Sequence, residues 1–571
     1  MPAVALRHQP DAGPTLYARR GQGKRGAGPD AALETKPAMS HPPIDPKSVA
    51  GKTPEVERHV QLLVIGAGPA GIAAAAEAAE RGLEVLLVDE NPVDGALIGM
   101  DVPLHFGGRA TAAVNTPGRL LETFLDAQPE LAELFDKGVE VLLQTTVWGL
   151  FANGPGVQWM PGPVAGLADT DRSWLVGFDR VIVAAGRRDL GMSFPGWDLP
   201  GVMGVTAAHR LIAGYDAFAG RRLLILGTGA EALDLALTAL GRGLEVTGLV
   251  EVAEQPVGPA ELVEAVKAHG VPVLTGHVIK AATGNVEGVT TATLVKVDGG
   301  LSPVPGSERD IACDTIALGI GTVPNIELLA ALDAKLVHDP DRGGHVPVID
   351  TDGRTALPFA YAVGDCAGIH PAKSVDPAVA RREGRVAAIA AAASLGKAAE
   401  GDVAAARAGL AQPVQGQGDH RMTWLKALLN TGGLDVLVCQ CEEVSRGELL
   451  DVSPPRYLER VSNKMGTRSL TTLLEDGPVN QDQVKRLTRA GMGLCQGRRC
   501  REQVAMLLAL SSRVDVGQVP LASYRPPVRP LPLKVLWPQD EAAVMRQEWD
   551  SWFGIESQWM PWWEISGTRQ D

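Results

Sequence analysis

The sequence predicts an α/β chain: two doubly wound parallel-sheet domains followed by a small, mostly helical module that carries cysteines. Three observations predict it. A strand–glycine turn–helix–strand unit opens at Val60, a near-copy follows at Leu223–Val250 about 160 residues later, and four of the six cysteines lie between Cys439 and Cys500. Strands alternating with helices through glycine-rich turns build parallel sheets. Two copies at that spacing indicate two related domains rather than a solenoid.

Composition narrows the class. The 571 residues suggest about three to four domains, and 45% hydrophobic with 21% charged residues excludes disorder throughout. No apolar run reaches 18 residues, so a spanning helix is not expected. A net charge of −14 argues against nucleic acid or an anionic membrane surface as partner. Six cysteines are too few for a secreted disulfide scaffold; their clustering reads as a metal site in a reducing, cytoplasmic compartment.

Residues 1–58 are rich in Pro, Gly, Ala and basic residues and read as a disordered extension. Arg19–Arg20 is not followed by the apolar stretch of an export signal, and Met39 is an alternative start. From Val60 the first nucleotide-binding domain is expected over 59–199 and 311–395, and the second over 200–310. In Gly66-Ala67-Gly68-Pro69-Ala70-Gly71, Gly66 permits the tight turn, Gly68 lets the backbone approach a pyrophosphate, and Gly71 lets helix and strand pack closely. The following helix, expected to reach about Arg81, presents its N-terminus to phosphate. Asp89, with Glu90 as the neighbouring alternative, ends the next strand where an acid binds ribose hydroxyls. A glycine-rich turn without ligand is the competing reading.

The second turn, Gly227-Thr228-Gly229-Ala230-Glu231-Ala232, repeats the geometry, and Glu251 ends the next strand, favouring NAD or an adenine nucleotide without a 2′-phosphate. Glu231 puts negative charge inside the turn, against anion binding; a retained but empty domain is the alternative. No paired cysteines follow the first unit, so a redox disulfide is absent, and the isolated Cys313 and Cys366 read as packing residues. Residues 396–430 read as a linker. Beyond 521 a Pro-rich run and six tryptophans (Trp537, Trp549, Trp552, Trp559, Trp562, Trp563) form a tail expected to pack on its own chain or on a partner.

In the module at 431–520, Cys439 and Cys441 form a CxC, and Cys495 and Cys500 a Cx4C. Four thiolates suit a [2Fe–2S] cluster or tetrahedral zinc. CxC fits a zinc knuckle poorly. Gly491 and Gly493 allow a tight loop with N–H groups aimed at sulfur, Arg498 and Arg499 offset charge, and Cys500 starts a helix expected over Glu502–Ser511. Zinc and free thiols remain the alternatives.

Several segments resemble known families. Ala-Gly-Pro-Ala-Gly at the first turn, Val181-Ile182-Val183-Ala184-Ala185-Gly186-Arg187, and Tyr361-Ala362-Val363-Gly364-Asp365 are similar to the motifs of two-dinucleotide-binding-domain flavoproteins. The resemblance implies FAD at the first site, with Gly186 and Gly364 near it and Asp365 hydrogen-bonding the ribityl chain. Val438–Val444 and Asn480–Cys500 resemble the bacterioferritin-associated-ferredoxin-like module that ends the FAD-binding α subunits of heteromeric amino-acid and opine dehydrogenases, relatives of heterotetrameric sarcosine oxidase α. Phe194–Met203 matches their domain-crossing segment. One departure is Asp94-Gly95-Ala96-Leu97 where these proteins carry Pro-Gly-Gly-Gln. The resemblance implies a [2Fe–2S] cluster on Cys439, Cys441, Cys495 and Cys500, substrate oxidation on a separate oxidase-like flavoprotein β subunit, FMN at a subunit interface and a downstream electron acceptor. No acid–base or nucleophilic motif stands out, and His105 and His370 are single histidines near glycine-rich loops. The functional expectation is an electron-transferring α subunit of a dehydrogenase for a secondary amine or amino acid. The rivals are a stand-alone NADH-dependent flavin/[2Fe–2S] reductase and a non-catalytic scaffold.

Overall fold

A computed structural model describes residues 55–93, 109–154, 160, 162–410, 420–458 and 466–536. The readings of residues 1–54, of Asp94–Leu97, of His105 and of the six tail tryptophans fall outside these residues.

The first sheet is built on β1 (Val56–Ile65), whose second half is buried because a parallel strand covered on both faces must be apolar throughout. The strand begins at Val56, inside the expected extension, because Val56–Val60 continue the ladder along β6. After α1 (Pro69–Glu80) the chain returns as β2 (Val85–Val88), then β3 (Glu140–Leu142), β4 (Thr146–Phe151), β5 (Val164–Ala168) and β6 (Ser173–Val183). The order is β3-β2-β1-β6-β5-β4, with β3-β2-β1-β6 parallel and β6-β5-β4 antiparallel.

The chain then crosses to a second sheet through the short strand Arg187–Asp189. There β7 (Val202–Gly204), β8 (Arg222–Leu226), β9 (Glu245–Glu251), β10 (Val273–Thr275) and β11 (Thr315–Leu318) form a parallel sheet in the order β10-β9-β8-β11-β7, with α2 (Ala230–Gly241) after β8. A three-stranded antiparallel sheet (His277–Asn285, Gly288–Lys296, Arg309–Ala312) flanks it. The return crossing is Thr322–Pro324, antiparallel to Arg187–Asp189. Residues 311–312 therefore belong to the three-stranded sheet and Thr315–Leu318 to the second sheet, and not, as expected, to the first. An apolar run such as Thr-Ile-Ala-Leu suits the centre of either sheet, so only the pairing decides.

Back in the first domain, β12 (Ala360–Ala362) completes the first sheet beside β6, and α3 (Pro377–Ser394) crosses α1. Their alanines allow a close approach: a Cβ on Gly384 would lie 2.0 Å from the Ala70 carbonyl oxygen. The helix starts at Pro377 because Asp376 caps it, accepting the Ala378 N–H at 2.9 Å.

The span read as a linker contains the helix Glu400–Arg407 and α4 (His420–Gly432), which bury Val403, Trp424, Leu425 and Leu428. Buried apolar faces outweigh the Gly/Ala/Gln composition. Beyond it lie the hairpin Leu437–Cys439/Val444–Ser445, α5 (Gln481–Thr488) and α6 (Arg501–Ser512), with Cys500 at the helix's N-cap position. This module shares one hydrophobic core with the crossing segment and second domain: Leu190, Met192, Phe194 and Trp197 pack with Trp424, Val438, Val504 and Leu508. At the seam Arg446 is fully buried without a carboxylate partner among the described residues, and burial pushes its pKa down to about 10. It donates instead to the carbonyls of Leu428 (3.2 Å), Gly433 (2.9 Å) and Ser193. No described helix is long and apolar enough to cross a membrane.

Arg446→Leu removes the donors to these carbonyls, two of them in buried contacts, and is expected to cost about 3 kcal/mol. The check is a thermal or denaturant scan read on the near-ultraviolet signal.

Candidate functional site

The two glycine turns are superimposable in kind. Gly66 and Gly227 both have φ +107°, a conformation that favours glycine, and donate to the carbonyls of Val88 (2.8 Å) and Val250 (2.7 Å). A Cβ on Gly66 would lie 2.3 Å from the Ala184 oxygen, and one on Gly71 1.8 Å from the Gly66 oxygen, so both glycines are required by packing. A Cβ on Gly68, by contrast, would meet nothing within 4 Å. There the backbone and the opening N–H groups of α1, which has Pro69 and Ala70 in its first turn, are open to an approaching anion. Asp89 sits beside this turn: its Oδ2 accepts the Ala67 N–H, and its Oδ1 accepts from Asn91 N (2.7 Å) and Nδ2 (2.8 Å). Glu90 points to a different partner, Arg529, whose Nε (2.7 Å) and Nη2 (2.6 Å) both reach its Oε2.

Gly186 (φ +71°) and Gly364 (φ +68°) lie at the ends of neighbouring strands β6 and β12, so the structure brings these motifs together with the first turn. A Cβ on Gly364 would lie 3.0 Å from Ala70 Cβ. Asp365 is held by Arg187 (Nε to Oδ2, 3.5 Å). Beneath it Lys373, buried, donates to the carbonyls of Gly364 (2.9 Å) and Gly368 (2.8 Å) and pairs with Glu383 (2.8 Å), which in turn accepts the Gly364 N–H at 2.9 Å. Burial holds Glu383 above the usual carboxylate range against that pairing. His370 is buried, its Nδ1 has no hydrogen-bond partner among the described residues, and burial with the Lys373 charge pushes its pKa down to about 4, so it is neutral. Sequence reasoning missed Lys373 and Glu383. The signal available was a Lys and Glu ten residues apart after the Gly-Asp pair.

The second turn is already engaged by the chain itself. Glu251 has 0% of its surface exposed; its Oε2 accepts from Thr228 Oγ1 (2.7 Å), its Oε1 from Ala253 N (3.0 Å), and His420 Nε2 lies 3.2 Å from Oε1. Glu231 Oε1 accepts from Arg187 Nη1 (2.9 Å) and Ser374 Oγ (2.7 Å). Burial alone would raise the Glu231 pKa, but Arg187 and Ser374 outweigh it and hold it below the ordinary value. Arg421, at the start of α4, lies against Gly321 and donates to the carbonyls of Gly343 (2.7 Å) and Thr322. The cavity left beside Gly229 measures about 140 Å³, small for a dinucleotide.

The four clustered cysteines meet in two pairs, Cys439 with Cys500 and Cys441 with Cys495. The Cys441 thiol hydrogen-bonds Cys495 and pushes the latter's pKa down to about 5 while its own rises; Cys500 likewise lowers Cys439. Gly491 N–H donates to Cys439 Sγ at 3.4 Å, and a Cβ on Gly493 would lie 2.2 Å from Cys441 Cβ, so both loop glycines are used. Burial pushes the Arg499 guanidinium down to about 10, opposed by the charges of all four cysteines. Among the described residues no three His, Cys, Asp or Glu side chains converge as ligands of one ion. All four thiols lie near enough to shift one another's charge, and four such thiolates suit a two-iron centre or a tetrahedral zinc. Cys313 and Cys366 are buried, with pKa values pushed up to about 12 by burial.

Two neighbouring residues join these regions. Arg187 pairs with Asp365 and Glu231, while Arg188 Nε donates to the Arg498 carbonyl (3.3 Å) inside the Cys495–Cys500 loop. Trp197 Nε1 donates to Leu437 O (2.7 Å), Gln440 Nε2 donates to Trp197 O (3.1 Å), and Arg499 lies over the Trp197 ring at 5.2 Å.

Residues 60–396 match the family described as pyridine nucleotide-disulphide oxidoreductase, and residues 461–538 the sarcosine oxidase A3 domain. The chain is 28% identical to an opine oxidase subunit of Agrobacterium tumefaciens (strain Ach5), covering 82% of this chain and 90% of that one. It is 26% identical to the hydrogen cyanide synthase subunit HcnB of Pseudomonas aeruginosa, covering 83% and 97%. Its fold is similar to that of L-proline dehydrogenase from P. horikoshii, with TM-score 0.55 and 20% identity over 85% of this chain and 81% of that one.

The glycines make a discriminating prediction. Gly68→Ala is expected to fold with an unchanged melting temperature but to retain about tenfold less flavin, because its methyl group would enter the open space where the expected phosphates would approach; Gly66→Ala is expected to unfold at lower temperature. Thermal melts and flavin content after gel filtration check both.

Proposed function

The chain belongs to the pyridine nucleotide-disulphide oxidoreductase family, a flavin-dependent oxidoreductase class, and from that premise we propose that it is the electron-transferring α subunit of a hetero-oligomeric dehydrogenase. Its substrate is a secondary amine or amino acid (an opine, hydroxyproline, glycine or N-alkyl amino acid), oxidised on a separate flavoprotein β subunit. Relatives that are themselves named as subunits support the partner.

In this reading FAD lies along the first turn. Gly66, Gly68 and Gly71 bring the backbone and the α1 N-terminus to its pyrophosphate, Asp89 meets the ribose, Gly186 lets the chain pass close, and Gly364 with Asp365 meets the ribityl chain. FAD supplies two-electron chemistry that a neighbouring one-electron carrier can relay onward. The protein's contribution is positioning. Arg187 fixes the Asp365 carboxylate, Lys373 and Glu383 tie down the Gly364–Gly368 turn, and neutral His370 adds no charge there. Cys439, Cys441, Cys495 and Cys500 would hold a [2Fe–2S] cluster, with Arg499 offsetting its negative charge in a water-poor setting.

The observation that carries the proposal is the pair Arg187–Arg188. Adjacent residues of one short strand touch the flavin acid on one side and the cysteine loop on the other, which suits transfer between the two centres. The NADH-reductase reading is weaker, since Glu251 and Glu231 are consumed by Thr228, Arg187 and Ser374 and α4 covers the second turn.

The test is to purify the chain anaerobically with its partner and measure FAD, iron and the reduced-state paramagnetic resonance signal. Two irons per chain, that signal, and flavin reduction by an amine but not by NADH are expected. Colourless, iron-free protein, or flavin bleached rapidly by NADH in the isolated chain, would defeat the proposal.

A further inference from the structure

Residues 519–529 run from one hydrophobic core of the molecule to another. Val519 is buried in the core that holds Cys500, Val504 and Leu508, whereas Val528 is buried in the core of the first sheet with Val147, Leu150 and Val176. The stretch is anchored at each step. Ala522 N–H donates to Gln481, Ser523 N to Asp482 (3.1 Å), and Gln496 Nε2 donates to the Pro527 carbonyl (3.0 Å). Val528 N then donates to Trp148 O (2.8 Å), and Arg529 grips Glu90.

The two ends of this run have particular neighbours. Gln496 directly follows Cys495 and sits in the left-handed region (φ +53°), so its side-chain direction is set by the fold of the cysteine loop. Glu90 directly follows Asp89, whose carboxylate braces the Ala67 N–H of the first glycine turn. Only one residue, Val528, separates the carbonyl held by Gln496 from the guanidinium held by Glu90.

We infer that Arg529 is a positioning residue for FAD: through Glu90 this strap closes the adenosine end of the first nucleotide site, and through Gln496 it makes that closure depend on an ordered cysteine loop. Loading of the cluster and retention of FAD are then coupled, and the coupling is reciprocal. The inference rests on the reading given under Proposed function, and the measurements below separate the two.

The experiment uses the full chain in its holo form and follows FAD release by the rise in flavin fluorescence after dilution, with iron measured on the same samples. Anaerobic chelation of iron is expected to speed FAD release about tenfold, within the ordinary range of coupling between sites. Arg529→Gln is expected to speed release by a similar factor, after which iron removal adds less than about twofold. Glu90→Gln, which shortens no side chain, should reproduce Arg529→Gln, and circular dichroism reports whether each variant is folded. Release that ignores iron, or that responds to iron equally in wild type and Arg529→Gln, overturns the inference while leaving the cluster intact. If wild-type protein holds no iron, the cluster reading falls, and the strap is judged by Gln496→Ala: it must speed FAD release in wild type but not in Arg529→Gln.

Discussion

Arg188, buried, and Arg187, partly buried, carry two charges inward on a strand three residues long, at the point where the chain leaves one sheet for the other. Taking a guanidinium out of water is costly unless its donors and charge are matched. Here the charges are met by groups from different parts of the sequence: Asp365 and Glu231 for Arg187; Glu327, Asn325 and the Arg498 carbonyl for Arg188. Removing either partner set would strand a buried charge, so the first domain, second domain and cysteine module are held in one arrangement by neighbouring side chains.

That constraint explains an oddity of the second nucleotide fold. A carboxylate at the N-terminus of α2 opposes an incoming phosphate, yet Glu231 is favourable where it stands because Arg187 needs a second anion. The acid that a ribose would use, Glu251, is likewise spent on Thr228 and the backbone of Ala253. The repeat keeps its sheet, its glycine at φ +107° and its helix, while its polar groups now serve cohesion between domains.

Much of this was legible in the residues. Gly66, Gly71 and Gly227 announce themselves because only glycine fits where a Cβ would strike a carbonyl, and the apolar runs of β1 and β8 read as buried strands. Spacing alone also singles out the four cysteines that meet in the fold. What could not be read was the use of long-range polar partners. Nothing local to Glu90 points to Arg529, more than 400 residues later, and nothing in the Gly/Ala-rich stretch after 396 signals that Trp424 and Leu428 would find a core. The assignment of Thr315–Leu318 fails for the same reason: a short apolar strand specifies burial, not which sheet supplies it.

The paired crossings Arg187–Asp189 and Thr322–Pro324 have a mechanical consequence. Two adjacent antiparallel connectors between domains form a natural hinge, about which one domain can swivel on the other. In this chain the hinge is bolted. Arg421 joins the Thr322 carbonyl of the return connector to the Gly343 carbonyl beyond it, Trp197 and Arg446 tie the segment after the outgoing one to the Leu437 strand and to α4, and a shared apolar core lies across the seam. A molecule so fastened works as a fixed frame. Transfer between its sites would then run over standing distances rather than by domain rotation.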